Sequence, residues 1–275
     1  MTSSIEDGQP AQPPHPTPSS RSTGLSRTLI AHPTYGPLPA LLLILTVVTG
    51  AVDAVSILSL GRVFVANMTG NVVFVGFALV GAPGFSLSAS LFALLGFLVG
   101  AAVGGRLITR SGLDRGSLLR AGVTGELLFA VAALTLAASS GAPGVSHGTS
   151  ALTGGAFGPA VTDALAGMLA VATGIQNAVA RKLAVPDMTT TVLTMTLTGI
   201  GADVRALREG STSARAALTR RLLSIATMLA GAVFSAWLVL RVSPLSALTL
   251  ATALLAVAAA GAVLAAARPG SWRAA

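Results

Sequence analysis

The stretch Asn67-Met68-Thr69-Gly70-Asn71 is a polar segment inside an apolar one, and DMTTT at positions 187–191 is a weaker copy of it. A second motif precedes each copy: TGAVDAV at 49–55 and TGIQNAV at 173–179. Thr, Gly, Ala and Val recur at the same places, with Asp in the first copy answered by Asn in the second. A pair of motifs that occurs twice predicts a duplicated unit, and its polar residues mark the first place to look for function.

The composition predicts an all-α integral membrane protein in a lipid bilayer. Of the 275 residues, 53% are hydrophobic and 9% charged, whereas soluble proteins carry about 25% charged residues. The mean hydropathy is +0.80, and apolar runs of about 20 residues, long enough to cross a bilayer, recur from Pro39 onward. The net charge of +8 does not indicate a nucleic-acid partner, because the arginines lie in short segments between apolar runs, as cytoplasmic anchors do.

The chain divides into a tail, two membrane repeats, the loop between them and a short end. Residues 1–37 are rich in Pro, Ser and Thr, which predicts a disordered tail in which His15 and His32 are solvated. The first membrane repeat is expected at 38–138, an uncharged extracytoplasmic loop at 139–158, the second membrane repeat at 159–268 and a short tail at 269–275.

The distribution of basic residues favours six full spans over eight. If all eight apolar runs crossed, the basic clusters at 106–120 and 205–221 would lie on opposite sides, against the positive-inside rule. If the runs at 63–82 and 189–202 re-enter or break, every basic cluster lies inside, with Arg62 as the exception. The sequence therefore predicts about six full transmembrane helices plus two re-entrant or broken segments, with both termini cytoplasmic.

Three full spans in each repeat make the two repeats inverted relative to each other. Inverted repeats with broken helices near the midplane are the architecture of many secondary transporters. The single lysine, against sixteen arginines, together with the excess of Ala and Gly, is typical of a GC-rich bacterial genome. The expected location is a bacterial cytoplasmic (inner) membrane.

The quoted motifs also resemble a known family. The motif at 49–55, the segment Gly61-x-x-Phe64-Val65-Ala66 that runs into Asn67–Asn71, and the motif at 173–179 are similar to the YoaK-like family of bacterial inner-membrane proteins, a domain of unknown function. The resemblance covers about 40–265. It implies a multi-span membrane protein of about this size and no established substrate or reaction.

Polar residues inside the apolar runs are the candidates for a substrate or ion site. An ionisable residue within a span costs about 2.5–3.5 kcal/mol on insertion scales, which makes Asp53 a functional candidate. Asp53 either binds a proton or cation, or holds the broken segment through the backbone of Thr69 and Asn71. The full candidate set is Asp53, Asn67, Thr69, Gly70, Asn71, Gln176, Asn177, Thr189, Thr190 and Thr191.

Other residues have either a functional or a structural interpretation. Thr190, Thr194 and Thr198 share one helix face, which either lines a pathway or bonds to nearby carbonyls. Glu126 is a second candidate for proton coupling besides Asp53; the alternative is pairing with Arg120 or another basic loop residue. A third group is expected in close helix packing, because glycines spaced by four residues let helices approach: Gly96, Gly100, Gly104 and Gly231.

The motifs of enzymes are missing from the sequence. It contains no nucleophile elbow, zinc-protease motif or phosphate loop, so we expect no enzyme, no cofactor and no metal site. The first hypothesis is a small secondary transporter of a solute or ion, with its polar site between the two repeats and with a homo-oligomer as a further expectation. The alternative is a membrane scaffold or a signalling or assembly partner that does not transport.

Overall fold

The chain folds into α-helices, as its composition predicts. A computed structural model describes residues 32, 34–109, 114–141, 156–188, 193–268 and 270–273. Within these residues the α-helices are α1 (Leu38–Ser59), α2 (Met68–Leu79), α3 (Leu87–Thr109), α4 (Arg115–Ser139), α5 (Pro159–Leu183), α6 (Leu193–Ala202), α7 (Val204–Arg208), α8 (Thr212–Arg241) and α9 (Pro244–Ala267), followed by a 3₁₀ turn at Ser271–Arg273.

In the described part of the chain, five helices are long and apolar enough to cross a membrane: α1, α3, α4, α8 and α9. The sixth predicted span, α5, has 25 residues, about 37 Å at 1.5 Å per residue, and is therefore equally long. It is less apolar because Gln176 and Asn177 interrupt it, and it buries much of its surface inside the protein. The protein is an all-α multi-pass membrane protein in contact with lipid.

Contacts between helix ends define two faces of the bundle. On the face where α1 begins, which we call the basic face, Arg115 donates a hydrogen bond to the Thr34 carbonyl and Arg273 pairs with Asp114. On the opposite face, the Ala156 amide donates to the carbonyl of Ser59 at a distance of 3.0 Å. The end of α1 therefore lies beside the start of α5, and the two helices run in opposite directions.

The segments that contain the short helices α2 and α6 each begin and end at the same face of the bundle. The Ser86 amide, just before α3, donates to the carbonyl of Gly61, just after α1, so the chain leaves and returns to the opposite face around α2. At the other end Asp187, just after α5, pairs with Arg220 of α8, so the chain around α6 begins and ends at the basic face. Both segments thus have the re-entrant course that the charge pattern predicts.

The two halves pack crosswise, and each long helix of one half lies against a helix of the other. A Cβ built on Gly100 of α3 would lie 2.1 Å from the Val171 carbonyl oxygen of α5. The equivalent contact between α8 and α1 joins Gly231 to Val47, again at 2.1 Å. Gly96 meets the Gly167 carbonyl at 2.4 Å in the same way. These contacts leave no room for a side chain, which is why small residues recur there.

A ring of four helices forms the centre of the bundle. Helices α1, α9, α4 and α5 contact one another in that order, and α1 and α5 close the ring. Helix α8 lies outside α1, and α3 lies outside α5. Their outer sides are apolar and exposed, as lipid contact requires.

The chain termini differ from the sequence prediction. Residues 34–37, predicted as part of the disordered tail, pack against the last residues of the chain, because Trp272 is only 9% exposed and lies against Gly36. Within the predicted short tail at 269–275, the described residues Trp272 and Arg273 contact Gly36 and Asp114. His32, predicted to be solvated, is half-buried and accepts a hydrogen bond from the Thr34 amide. Residues 1–31, including His15, lie outside the described residues.

Two further expectations need correction. Arg241, at the end of α8, lies at the opposite face and is therefore a second exception beside Arg62. The basic cluster at 205–221, expected in a short segment between apolar runs, is largely helical, since Val204–Arg208 forms α7 and α8 begins at Thr212. Most of the predicted extracytoplasmic loop at 139–158 lies outside the described residues, as do the positions 110–113 between α3 and α4.

The re-entrant course of α2 and α6 predicts which engineered cysteines share a side. The chain has no native cysteine, so single cysteines at the exposed positions Thr34, Pro83, Ser140 and Glu209 can be labelled with an impermeant maleimide in intact cells. We expect Pro83→Cys and Ser140→Cys to react from one side, and Thr34→Cys and Glu209→Cys from the other. Full crossing by α2 would instead put Thr34→Cys and Pro83→Cys on the same side.

The close helix contacts predict opposite effects of two glycine substitutions in α3. Gly100→Ala would push a methyl group into the Val171 carbonyl and should destabilise the protein by about 1–3 kcal/mol. Gly105→Ala meets no atom within 4 Å and should be neutral or stabilising by up to about 1 kcal/mol, since alanine favours helix over glycine. Thermal unfolding in detergent measures both, and equal midpoints for the two variants would contradict the packing.

Candidate functional site

The segment between α1 and α2 lies deep in the bundle, and side chains satisfy its backbone. Asn71 is fully buried and bonds Phe64 twice: its Oδ1 accepts from the Phe64 amide at 2.9 Å, and its Nδ2 donates to the Phe64 carbonyl at 2.6 Å. Asp53 Oδ1 accepts from the amides of Val65 and Ala66 at 3.2 and 3.1 Å. The broken segment is therefore held by two of the residues that the sequence singled out.

A third helix completes this arrangement. Thr173 of α5 is 2% exposed, and its hydroxyl donates to the Val65 carbonyl. We call residues 60–67, between α1 and α2, the linker. It is thus bonded by Asp53 from the first copy of the TG motif and by Thr173 from the second copy. Asp53 does hold the broken segment, as one of the two interpretations of the sequence expected. The expected partners are wrong, because Asp53 bonds the backbone of Val65 and Ala66 and not that of Thr69 and Asn71.

The rest of the 67–71 segment faces away from the centre. Asn67 and Thr69 are exposed, and Asn67 precedes α2 without a side-chain hydrogen bond to the helix end. Gly70 lies under the ring of Phe64, where a Cβ would approach the ring carbon to 2.5 Å. Among these residues only Asn71 contributes to the interior.

The second copy of the motifs places Gln176 in the ring of four helices. Gln176 is 2% exposed, and its Nε2 donates to Thr49 Oγ1 of α1 at 3.1 Å. Its Oε1 has no hydrogen-bond partner among the described residues. Asn177 is half-buried and donates to the Thr173 carbonyl at 2.9 Å. Thr189, Thr190 and Thr191 lie outside the described residues.

The threonine face of α6 is not directed into the protein. Thr194 and Thr198 are exposed, and Thr198 donates to the carbonyl of Thr194 at 2.9 Å. The buried threonine of α6 is Thr196, at 5% exposure. Among the described residues of this face, the structure therefore agrees with the structural interpretation at Thr198, whose hydroxyl bonds a nearby carbonyl.

A small cavity lies at the centre of the ring. It leaves about 10 Å³ for the centre of a water molecule, which is room for about one water. Three polar residues line it: Glu126 from α4, Thr252 from α9 and Thr173 from α5. The remaining lining is apolar: Val48, Val52, Ala130, Leu169, Ala172, Leu248, Ala251 and Leu255.

Glu126 lies in a different environment from the ion pair that the sequence offered as one alternative. It is 2% exposed, and its Oε2 has no hydrogen-bond partner among the described residues. The expected pairing with Arg120 is wrong, because Arg120 is exposed and no ion pair involves Glu126 in the described part of the chain. The two residues are six positions apart, whereas helix neighbours are three or four apart.

A charged cluster at the basic face joins the end of α5 to α8. Asp187, in the left-handed conformation with φ of 61°, pairs with Arg220 and Arg221 at 2.9 and 2.8 Å. Arg221 also pairs with Asp203 at 2.7 Å. In the sequence Asp187 stands out only as the first residue of the second copy, and the adjacent arginines in the first third of α8 are the signal that could have identified its partners.

Comparisons with known proteins agree with the resemblance seen in the sequence. A family described as "Protein of unknown function (DUF1275)" matches residues 41–261, and the chain belongs to this family. The chain is 32% identical over 170 residues to the UPF0700 transmembrane protein YoaK of Bacillus subtilis (strain 168). That match covers 60% of this chain and spans 66% of the length of YoaK. No solved structure matches.

The bonds of the linker predict different costs for two neighbouring asparagines. Asn71→Ala removes both partners of Phe64 and leaves the amide and carbonyl of this half-buried residue unpaired, at about 1 kcal/mol or more in total. Asn67→Ala removes an exposed side chain and should change stability by less than about 0.5 kcal/mol. Thermal unfolding of the two variants in detergent compares them directly, and an Asn71→Ala protein as stable as Asn67→Ala would show that the linker does not depend on this side chain.

Proposed function

We propose that this member of the DUF1275 family is a small secondary transporter and not an enzyme. The observation that supports this most is the placement of α2 and α6. Each is a half-length helix in a segment that starts and ends at the same face, and the two segments belong to opposite faces. Broken segments that approach from both sides enclose the substrate site in many secondary transporters.

The crosswise packing of the two halves supports the same proposal. Because α3 packs on α5 and α8 packs on α1, each half is built around a helix of the other. Such a pair of interlocked halves can tilt about the ring and open one face while it closes the other. The small central cavity then represents a state that is closed at both faces.

The polar groups around the centre define the proposed binding site. Thr49 and Gln176 link α1 to α5, Thr173 and Glu126 line the cavity, and Asp53 holds the adjacent linker. The site is proposed to take a small solute or ion when the cavity enlarges. Asn67 and Thr69 are omitted from it, because they are exposed on the outside of the protein.

The proposed location is the bacterial cytoplasmic membrane, with the basic face and both termini in the cytoplasm. This orientation follows the positive-inside rule, since the basic residues at the ends of α3 and α5 and at the starts of α4 and α8 share one face. A homo-oligomer stays a prediction.

Uptake by reconstituted protein tests the transport proposal. Purified full-length chain in proteoliposomes is given a defined mixture of amino acids, sugars, nucleobases and inorganic cations under an imposed proton gradient, and the vesicle contents are analysed by mass spectrometry. We expect at least one compound to accumulate above protein-free vesicles. Gln176→Leu should reduce this uptake about tenfold, because losing one hydrogen bond of about 1.4 kcal/mol changes affinity by that factor.

Thr194→Val is the matched control, since Thr194 is exposed on α6 and should leave uptake unchanged. Accumulation that is equal in the wild type and Gln176→Leu would contradict the placement of the site. If folded protein accumulates none of the compounds, the transport proposal fails and the alternative of a scaffold or an assembly partner takes its place.

A further inference from the structure

Two buried carboxylates lie in the core, and their surroundings differ. Asp53 Oδ1 accepts two backbone N–H groups, from Val65 and Ala66, while its Oδ2 has no hydrogen-bond partner among the described residues. Glu126 receives no hydrogen bond from the described residues at Oε2, and its side chain lines the cavity. Donors from the backbone can compensate a negative charge, so only Asp53 has groups that stabilise an ionised carboxylate.

The hydroxyl groups near Glu126 cannot donate to it, because they already donate elsewhere. Thr252 donates to the Leu248 carbonyl at 2.8 Å, and Thr173 donates to the Val65 carbonyl. Each hydroxyl has one proton and two lone pairs, so both can only accept from the cavity side. A protonated Glu126 is the complementary partner, because its O–H can donate to one of these oxygens or to a water in the cavity.

The depth of Glu126 adds to this argument. It stands near the middle of α4, with about 11 residues on one side and 13 on the other, or roughly 17–20 Å from each end. Burying an unpaired ionised carboxylate at such a depth costs far more than burying the neutral acid. The closed cavity therefore fits Glu126 as a neutral acid.

Charged groups elsewhere do not offset this cost. The cavity lining from α1, α5 and α9 contains no titratable side chain. The ionisable residues on the elements that pack around Glu126 are Asp53 on α1, Arg106 on α3, Arg115 and Arg120 on α4, Asp163, Arg181 and Lys182 on α5, and Arg273 in the 3₁₀ turn, while α9 has none. Apart from Asp53, these residues lie at or near helix ends.

We propose that Glu126 is the exchangeable proton site of this protein and that the coupling ion is a proton; the coupling role rests on the transport function proposed above. In the closed state Glu126 carries the proton. When one face opens, water enters the cavity, the Glu126 O–H bond breaks, the proton passes to water and the hydrated carboxylate remains. Reprotonation from water at the other face restores the neutral acid and lets the cavity close. Release is tied to opening, because the closed cavity has room for about one water, whereas the open cavity supplies enough water to hydrate the carboxylate.

Infrared spectroscopy of the purified full-length chain tests the proton site directly. The C=O stretch of a neutral carboxylic acid is recorded between about pH 7 and about pH 10, where ordinary carboxyl groups are already ionised and strongly perturbed ones still titrate. We expect one such band to disappear reversibly as pH rises, to be missing in Glu126→Gln and to remain in Asp53→Asn. The Gln side chain has nearly the same size and no charge, so this variant should fold.

Three results would overturn the inference. The first is the absence of any titrating band in the wild type. The second is a titrating band that survives in Glu126→Gln or vanishes in Asp53→Asn. The third is loss of the band on addition of sodium or ammonium at constant pH, which would make the site one for another monovalent cation.

The experiment also separates this inference from the transport proposal. A titrating Glu126 band with no uptake of any compound would leave the proton site standing and remove transport. Uptake that Glu126→Gln leaves dependent on the proton gradient would keep transport and remove the coupling role of Glu126. If both hold, Glu126→Gln should still exchange solute across the membrane but lose accumulation driven by the gradient.

Discussion

A backbone segment without helical hydrogen bonds, placed deep inside a membrane protein, must find partners for its N–H and C=O groups within the protein. The segment between α1 and α2 meets this constraint with three side chains. Asn71 takes both groups of Phe64, Asp53 takes the amides of Val65 and Ala66, and Thr173 bonds the Val65 carbonyl. These side chains come from α2, α1 and α5, so the break in the chain also ties three helices together.

The Thr-Gly pair that both copies of the second motif share has a hydrogen-bonding and a packing role. Thr173 bonds the Val65 carbonyl of the linker, and the glycine that follows it packs α5 closely on α3, because a Cβ on Gly174 would lie 2.4 Å from the Phe97 carbonyl. Gly50, in the first copy, is pressed against the Met228 carbonyl at 2.2 Å in the equivalent way. The Thr-Gly pair thus combines a hydrogen-bonding hydroxyl with a glycine that allows close helix packing. Both copies use the glycine for this packing.

Those parts of the fold that depend on charge and on small residues could be predicted from the sequence. The distribution of arginines predicted that the segments containing α2 and α6 would each return to the face from which they start. The spacing of Gly96, Gly100 and Gly104 predicted that α3 packs closely against another helix. These patterns are visible because each reflects a single physical cost, either moving charge across lipid or crowding two backbones. The sequence does not show which helix supplies the other side of the contact, which is α5.

The remaining features depended on contacts that no local pattern encodes. The chain turns sharply after α1 through left-handed Gly61 and Arg62, so Asp53 meets Val65 and Ala66 several residues before the expected partners. In the sequence, Trp272 is the only large apolar residue at 269–275. A single residue forms no periodic pattern, so its packing against Gly36 could not be predicted. Whether the threonines of α6 face the protein or its outside depends on how α6 packs, and the described part of α6 contacts only α8 and α7.

The short-helix segments of the two halves are held in place by different kinds of interaction. The linker of the first half is fixed by buried hydrogen bonds to groups with almost no exposure, such as Asn71 at 0% and Thr173 at 2%. Asp187, at the start of the second-half connection, is held by ion pairs whose side chains are 14–20% exposed, where water and salt weaken charge attraction. Water that replaces a broken ion pair offsets part of its loss, whereas a buried amide or carbonyl that loses its partner inside the bundle keeps the full penalty. In the proposed transport cycle the basic face is therefore the less costly one to open, even though the two halves share one architecture.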